Sequence, residues 1–341
     1  MDIVTLPLAQ QILLNANIVT DVLAITPLKG GSVNRTFELR CKDRTIVLWI
    51  DGKSGEQQWG DRASKLKWIY KSLEQCGLPI PQLIFAGGPD SLLPSSYMLL
   101  THLSGEQIDR LLPILDSRTI SSVAYAAGNA LSEFHKTTAG SIGQIRAHAI
   151  TCGGKGNWGD LFCASSRSDT WPDYVERQLS IHLTAHEQAG SLDSFRLDAV
   201  SRFVNERRRL WADPAHWSSA ALIHSDYAPK NIHVRKTHDN KWEICGIFDF
   251  EWALIGPIAM DFAKLQAYGF PRLKSPSQTE AYRQEFLRGY QELETLPSEH
   301  AELVATYELL FYVVWATIER NRQNHTAFRA ARQALDTALG L

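Results

Sequence analysis

The decisive stretch reads Ile223-His224-Ser225-Asp226-Tyr227-Ala228-Pro229-Lys230-Asn231-Ile232 and resumes at Gly246-Ile247-Phe248-Asp249-Phe250-Glu251-Trp252. Its skeleton is H-x-D-x-x-x-x-N, followed by an apolar run that ends in aspartate. Residues 221–224, 231–235 and 241–250 have β-like composition, and His238-Asp239-Asn240 supplies the turn of a hairpin between the last two. The pattern therefore sets one carboxylate, Asp226, on a loop, and a second, Asp249, at the end of a strand. Asn231 stands between them. A carboxylate held on such a loop suits taking a proton from a hydroxyl, and the oxygens of Asn231 and Asp249 suit a hard cation such as Mg2+. Phosphoryl transfer from ATP asks for little more, because its loose transition state calls for positioning and charge neutralisation. The competing reading makes both aspartates turn residues that cap strands.

Upstream of this island the chain alternates short β-like runs with turn signals. Runs at 22–28, 36–40 and 45–50 are separated by Gly30-Gly31 and by Lys42-Asp43. A helix is expected over 61–75 from the spacing of Leu66, Ile69, Tyr70 and Leu73, stopped by Gly77, Pro79 and Pro81. Strands at 82–86 and 96–100 complete a small lobe. From residue 106 onward the periodicity is mostly helical, with candidates at 117–135, 172–189, 193–210, 278–294 and 299–323. The expected fold is α+β and bilobal: a small lobe over 1–103 built on an antiparallel sheet, then a larger, mainly helical lobe over 104–341.

Composition narrows the function classes. Of 341 residues, 44% are hydrophobic and 21% charged, which suffices for a sizeable core. A net charge of -2 gives no field of the kind that gathers nucleic acid or anionic membrane, so neither is an expected partner. The start lacks the basic flank and apolar core of a secretion signal. The longest apolar run, near 309–318, is about half of what a membrane crossing needs, so a cytoplasmic protein is expected. Cys41, Cys76, Cys152, Cys163 and Cys245 form no C-x-x-C pair and read as free thiols. His182 and His186 share a helical face but lack a third metal ligand at motif spacing.

Residues 223–252 resemble the catalytic loop and metal-binding strand of the aminoglycoside phosphotransferase and choline kinase family, relatives of protein kinases. The resemblance extends to Gly30-Gly31-Ser32-Val33-Asn34-Arg35-Thr36-Phe37 as a phosphate-covering loop and to Pro79-Ile80-Pro81 before the fourth strand. It continues through the hinge at Tyr97-Met98-Leu99-Leu100-Thr101 with Gly105-Glu106, and a helix ending Leu131-x-x-x-His135. It implies a protein-kinase-like fold and an O-phosphotransferase that uses ATP and Mg2+ on a small hydroxylated molecule. It also implies Asp226 as catalytic base, Asn231 and Asp249 as metal ligands, and Gly30, Gly31, Ser32, Asn34, Lys53, Thr101 and Leu103 as nucleotide contacts. His224 is expected to brace the catalytic loop. Asp261 is either the aspartate that ties this loop to the next helix or an ordinary helix cap.

One feature departs from the family. Its third strand usually presents Lys or Arg toward the phosphates, at a place that aligns here with Trp49. Lys53 or Arg35 remains as a replacement, and Asp61 or Glu56 as the helix acid that normally pairs with such a base. The alternative function is a catalytically silent nucleotide- or ligand-binding protein of the same fold. A protein kinase fits less well, since neither D-F-G nor a later A-P-E follows Asp249. The acceptor site is expected between residues 158 and 220 and in the last helices. Acids and arginines are nearly balanced from 158 to 213, which does not mark a polycation site, and Trp171-Pro172-Asp173-Tyr174 reads as pocket lining or as core.

Overall fold

The computed structural model describes residues 4–28, 34–52, 61–217, 220–270, 273–293, 296 and 299–341. A first helix, α1 (Leu6–Asn15), leads into strands β1 (Val22–Pro27), β2 (Arg35–Cys41) and β3 (Thr45–Ile50), helix α2 (Arg62–Leu73), and strands β4 (Leu83–Gly87) and β5 (Tyr97–Thr101). The five strands form one antiparallel sheet in the order β1-β2-β3-β5-β4. Strand alternation divides β3 between two cores. Ile46, Leu48 and Ile50 pack with Ile12 and Leu13 of α1, whereas Val47 and Trp49 join Leu66 and Ile69 of α2. Helix α1 is absent from the sequence expectation; Thr5 caps it and Pro7 lies in its first turn.

Beyond β5 the chain crosses through β6 (Glu106–Gln107) and α3 (Ile108–Leu111) to α4 (Ser117–Gly140), α5 (Ile142–Thr151), the short strands β7 (Trp158–Gly159) and β8 (Arg167–Ser168), α6 (Trp171–Gln188) and α7 (Ser194–Ala212). The island follows as β9 (Ala221–Ile223), β10 (Ile232–Lys236), β11 (Trp242–Ile247) and β12 (Leu254–Gly256). Helix α8 (Ala259–Lys264) then runs into a π-helical turn (Leu265–Gly269) before α9 (Pro276–Gln291), α10 (His300–Asn321) and α11 (His325–Leu339). Helices α4 and α9 lie backbone to backbone. A Cβ on Gly128 would sit 1.9 Å from the Phe286 carbonyl oxygen, and one on Gly289 would sit 2.1 Å from that of Tyr125, so only glycine permits this approach.

Strand register brings the two halves of the decisive stretch together. Ile223 pairs with Leu254, so the residue before His224 lies beside the segment that follows Trp252. In the β10–β11 hairpin Ile232 pairs with Ile247, and Phe248 N–H donates to the Asn231 carbonyl at 3.1 Å, which sets Asn231 next to the Asp249 turn. The hairpin closes at 237–241, where Asn240 has a φ of 58°. None of the five cysteines is in a disulfide, and Cys41 and Cys163 are buried. His186 is buried, with ring nitrogens bonded to Ser191 Oγ, the Val313 carbonyl and Thr317 Oγ1, which leaves it no role as a metal ligand beside His182. Helix α10 is long and apolar enough to cross a membrane; half of the span is buried here, and it packs against α6, α8 and α11 as a core helix does.

Candidate active site

The catalytic loop is held from below by a buried polar chain. Asp261, 1% exposed on α8, accepts from the backbone N–H of His224 at 2.9 Å and from that of Ser225, and bonds His135 Nε2 at 2.8 Å. His135 on α4 reaches Tyr290 Oη with its other nitrogen, also at 2.8 Å. Burial alone would raise the Asp261 carboxyl; the His135 hydrogen bond and charge, followed by those of His224, hold it below the ordinary value. Asp261 thus ties the loop to the following helix, the stronger of its two sequence readings. His224 accepts from Asp226 N–H through Nδ1 at 3.2 Å and contacts the Phe248 carbonyl through Nε2 at 3.1 Å, which makes it a brace between the two motifs. Phe250, fully buried, packs on His224, Phe134 and Tyr70. Ser225 and Asp249 both adopt left-handed backbone, with φ of 60° and 70°, a conformation that side-chain-bearing residues keep only where the surroundings enforce it.

Asp226 stands at the centre, with its side chain 6% exposed. Its Oδ2 accepts from Asn231 Nδ2 at 2.9 Å and pairs with Lys230 Nζ at 3.0 Å, while Oδ1 accepts from Tyr268 Oη at 2.7 Å. Asn231 Nδ2 also donates to the Asp226 carbonyl at 2.8 Å, which fixes the amide flip; Asn231 Oδ1 has no donor among the described residues. Burial, then the negative charge of Asp226, pushes the Asp249 carboxyl upward. The half-buried Asp249 carboxylate and the Asn231 amide oxygen, set side by side by the hairpin, are donors of the kind that hold a divalent cation. Among the described residues no three His, Cys, Asp or Glu side chains form a complete metal cage. A magnesium ion bound here would need phosphate oxygens and water as further ligands, its usual habit.

At the third strand the structure has no base, and the buried cations nearby stand on the helix. Trp49 is 8% exposed and belongs to the core. Arg62 and Lys65, in the first turn of α2, are 6% and 2% exposed. Arg62 pairs with Glu251 at 2.7 Å and with Asp51 at 3.3 Å, and donates to Asn34 Oδ1 at 2.8 Å. Lys65 pairs with Asp160 and donates to the Glu251 carbonyl, both at 2.6 Å. The usual polarity of strand base and helix acid is therefore reversed: the strand end carries Asp51 and the helix carries the bases. Asp61 is the N-cap of α2, accepting from Ser64 N–H at 3.0 Å, and so takes the ordinary role its position allows. Burial and then the Asp249 charge raise the Glu251 carboxyl to about 7 against the pull of Arg62 and Lys65.

Of the expected nucleotide contacts, Gly30, Gly31, Ser32 and Lys53 lie outside the described residues, as does Glu56. Asn34 bonds Arg62 and also accepts from Gly52 N–H at 3.3 Å. Arg35 opens β2 opposite Ile50. Thr101, at the end of β5, receives Gln82 N–H on its hydroxyl at 2.8 Å, and the Leu103 side chain lies against Gly246. Trp171 is fully buried, stacked on Tyr174 with its indole N–H on Tyr307 Oη, so that segment is core. Two open hollows on the surface, one lined by Tyr125, Gln284 and Arg288 and the other by Gln10, Thr20 and Asp43, include none of the site residues. Sequence reasoning missed Arg62, Lys65 and Tyr268. The one signal available was a run of bases, Arg62, Lys65 and Lys67, at the start of a helix where an acid was sought.

Comparison with known proteins identifies the fold and the family. No curated protein matches the chain. Among solved structures, a thermostable mutant of aminoglycoside phosphotransferase APH(4)-Ia, in ternary complex with AMP-PNP and hygromycin B, superposes with a TM-score of 0.65 at 17% identity, covering 97% of each chain. The GDP and kanamycin complex of APH(2")-IIia gives 0.66 at 14% identity over 98% of each chain. The GDP complex of wild-type aminoglycoside 2'-phosphotransferase-IIIa gives 0.65 at 14% identity over 99% of each. At such identities these likenesses speak for the fold, which is that of the kinase-like aminoglycoside phosphotransferases. The family model described as "Phosphotransferase enzyme family" matches residues 24–296, and with that extent of match the chain belongs to this family.

Proposed function

We propose that the protein transfers the γ-phosphoryl group of ATP to a hydroxyl of a small molecule, with Asp226 as the base. The observation that carries this reading is the Asp226 carboxylate itself: one oxygen is held by Asn231 and Lys230, and the other accepts a hydroxyl, that of Tyr268, at 2.7 Å. That is the reach a general base needs toward the proton it removes. An acceptor hydroxyl in that place passes its proton to Asp226 as its oxygen bonds to the γ-phosphorus. The bond from phosphorus to the β–γ bridging oxygen breaks, and ADP leaves with that oxygen. Asn231 and Asp249 are the residues to hold magnesium, which when bound supplies charge neutralisation at the phosphates.

Family membership supports the reaction class, and the buried cations Arg62 and Lys65 support it in the absence of a base at Trp49. Both cations bind the segment that follows Asp249, Arg62 through the Glu251 carboxylate and Lys65 through the Glu251 carbonyl. The test is Asp226→Asn, assayed with Mg-ATP against a panel of hydroxylated acceptors by mass gain. Turnover should fall by roughly a hundredfold or more, the usual worth of a positioned base, with nucleotide affinity unchanged. Undiminished turnover would remove Asp226 from the chemistry.

A further inference from the structure

The π-helical turn after α8 sets Tyr268 against the catalytic carboxylate while leaving 40% of the residue exposed. Such turns interrupt helices chiefly where function re-aims a side chain. The Tyr268 ring stacks on Phe311 at 5.1 Å between centroids and 26° between planes, and Phe311 stacks on Trp315 at 5.9 Å and 20°. Phe311 and Trp315 are one turn apart on α10 and both are half-buried, so with Tyr268 they form an offset stack of rings that starts at Asp226. Trp252, 37% exposed, stands across from Phe311, with Lys264 Nζ between them at 5.3 Å from the Trp252 centroid and 5.5 Å from that of Phe311. Among the described residues the Lys264 ammonium has these two rings but neither a hydrogen bond nor an ion pair.

Two features of this wall bear on the acceptor. Aromatic faces are the usual seat for a ligand cation, but here the protein's own ammonium occupies the seat. Lys230 adds a second positive charge on Asp226 itself. The charges that act most on Lys264 are those of Asp226, Asp261, Lys65 and Lys230, and both acids are already engaged, Asp226 with Lys230 and Tyr268 and Asp261 with His135. A cationic acceptor would meet the like charge of Lys264 and Lys230, an arrangement that rejects partners. An anionic group would give Lys264 its missing partner. Burial lowers the Lys264 ammonium to about 8, which leaves it mostly charged at neutral pH and in want of an anion.

Resting on the phosphotransferase reading above, we propose that the acceptor is a hydroxylated aromatic compound without positive charge, stacked on the Tyr268–Phe311–Trp315 ladder with an anionic substituent toward Lys264. The test is ATP-dependent phosphorylation, read by mass, of matched alcohols and phenols. The set includes 2-phenylethanol, 4-(2-hydroxyethyl)benzoate, its amide and its aminomethyl analogue, with kanamycin and hygromycin B as polycations. The proposal expects transfer to the aromatic anion, with a KM roughly tenfold or more below that of the cationic analogue, as one charge-assisted contact provides. Phe311→Ala should raise that KM by about tenfold through the lost stacking. Lys264→Met should erase the preference for carboxylate over amide, a readout that does not depend on how Phe311→Ala folds. Turnover of the polycations above the aromatic set, or silence of the aromatic set while Asp226-dependent ATP hydrolysis persists, would overturn the inference and leave the phosphotransferase reading standing. Absence of both nucleotide binding and hydrolysis would remove that reading and this inference together.

Discussion

Replacing Arg62 by methionine tests the reversed ion pair through its pH dependence. The Arg62 and Glu251 side chains are 7% and 17% exposed, so the pair is largely shielded from solvent. With Arg62 present, burial and Asp249 already lift Glu251 from its ordinary 4.5 to about 7; without Arg62 it rises further. A raised carboxyl binds more protons folded than unfolded, so stability falls as pH climbs from about 4.5 through 7 in the wild type. In the variant the fall continues to higher pH. At about pH 8.5 the wild type holds an ionised pair that the variant lacks, and breaking a buried pair costs about 3–5 kcal/mol. The partial exposure of Glu251 argues for the lower end. At about pH 6 Glu251 is mostly neutral in both proteins, and the remaining loss is that of the buried pair with Asp51, about 3–5 kcal/mol, and of the bond to Asn34, about 1 kcal/mol, so the loss of the Glu251 pair comes on top of these only at the higher pH. Urea unfolding followed by fluorescence and circular dichroism should therefore give a gap that widens from pH 6 to pH 8.5. An equal gap at both values, or a variant as stable as the wild type at the higher one, would refute the reasoning. Because Arg62 also holds Asn34, the KM for ATP should rise in the same variant.

Two other substitutions probe the scaffold beneath the site. Asp261→Asn removes a carboxylate that accepts two backbone N–H groups of the catalytic loop and pairs with His135. Its folded pKa is depressed, so its contribution is present at neutral pH and fades as acid protonates it; the variant should lose about 3–5 kcal/mol at pH 7, read by urea unfolding, and less at low pH. Gly128→Ala drives a methyl to within 1.9 Å of the Phe286 carbonyl oxygen, so separation of α4 from α9 should outweigh the roughly 1 kcal/mol gained in helix propensity; a thermal midpoint at or above that of the wild type would contradict the close approach.

The parts of the site that sequence made legible are those fixed by short spacing. Asp226 and Asn231 are five residues apart on one loop, and the apolar run before Asp249 is a hairpin strand whose register follows from a short turn. The five-strand sheet was likewise readable, because alternation and turn residues are local signals. Arg62 with Glu251, Lys65 with Asp160 and Tyr268 with Asp226 join residues far apart in the chain, and no spacing rule announces them. Trp171 illustrates the opposite difficulty. An aromatic at a helix start fits pocket and core alike, and only its complete burial against Tyr307 decides for core. Helices α1 and α11 were missed although both carry a local signal: Thr5 and Pro7 mark the start of α1 ahead of the buried Ala9, Ile12 and Leu13, and Ala331 and Leu335 lie one turn apart on the buried face of α11.

The central claim is that Asp249 and Asn231 form, with Asp226, a working metal-nucleotide site. It is tested most directly by calorimetric titration of Mg-ATP into the wild type and into Asp249→Ala, with background ATP hydrolysis followed in parallel. The account predicts magnesium-dependent binding and slow hydrolysis in the wild type, both lost in the variant. Equal binding in the two proteins, or no nucleotide binding in the wild type, would contradict it.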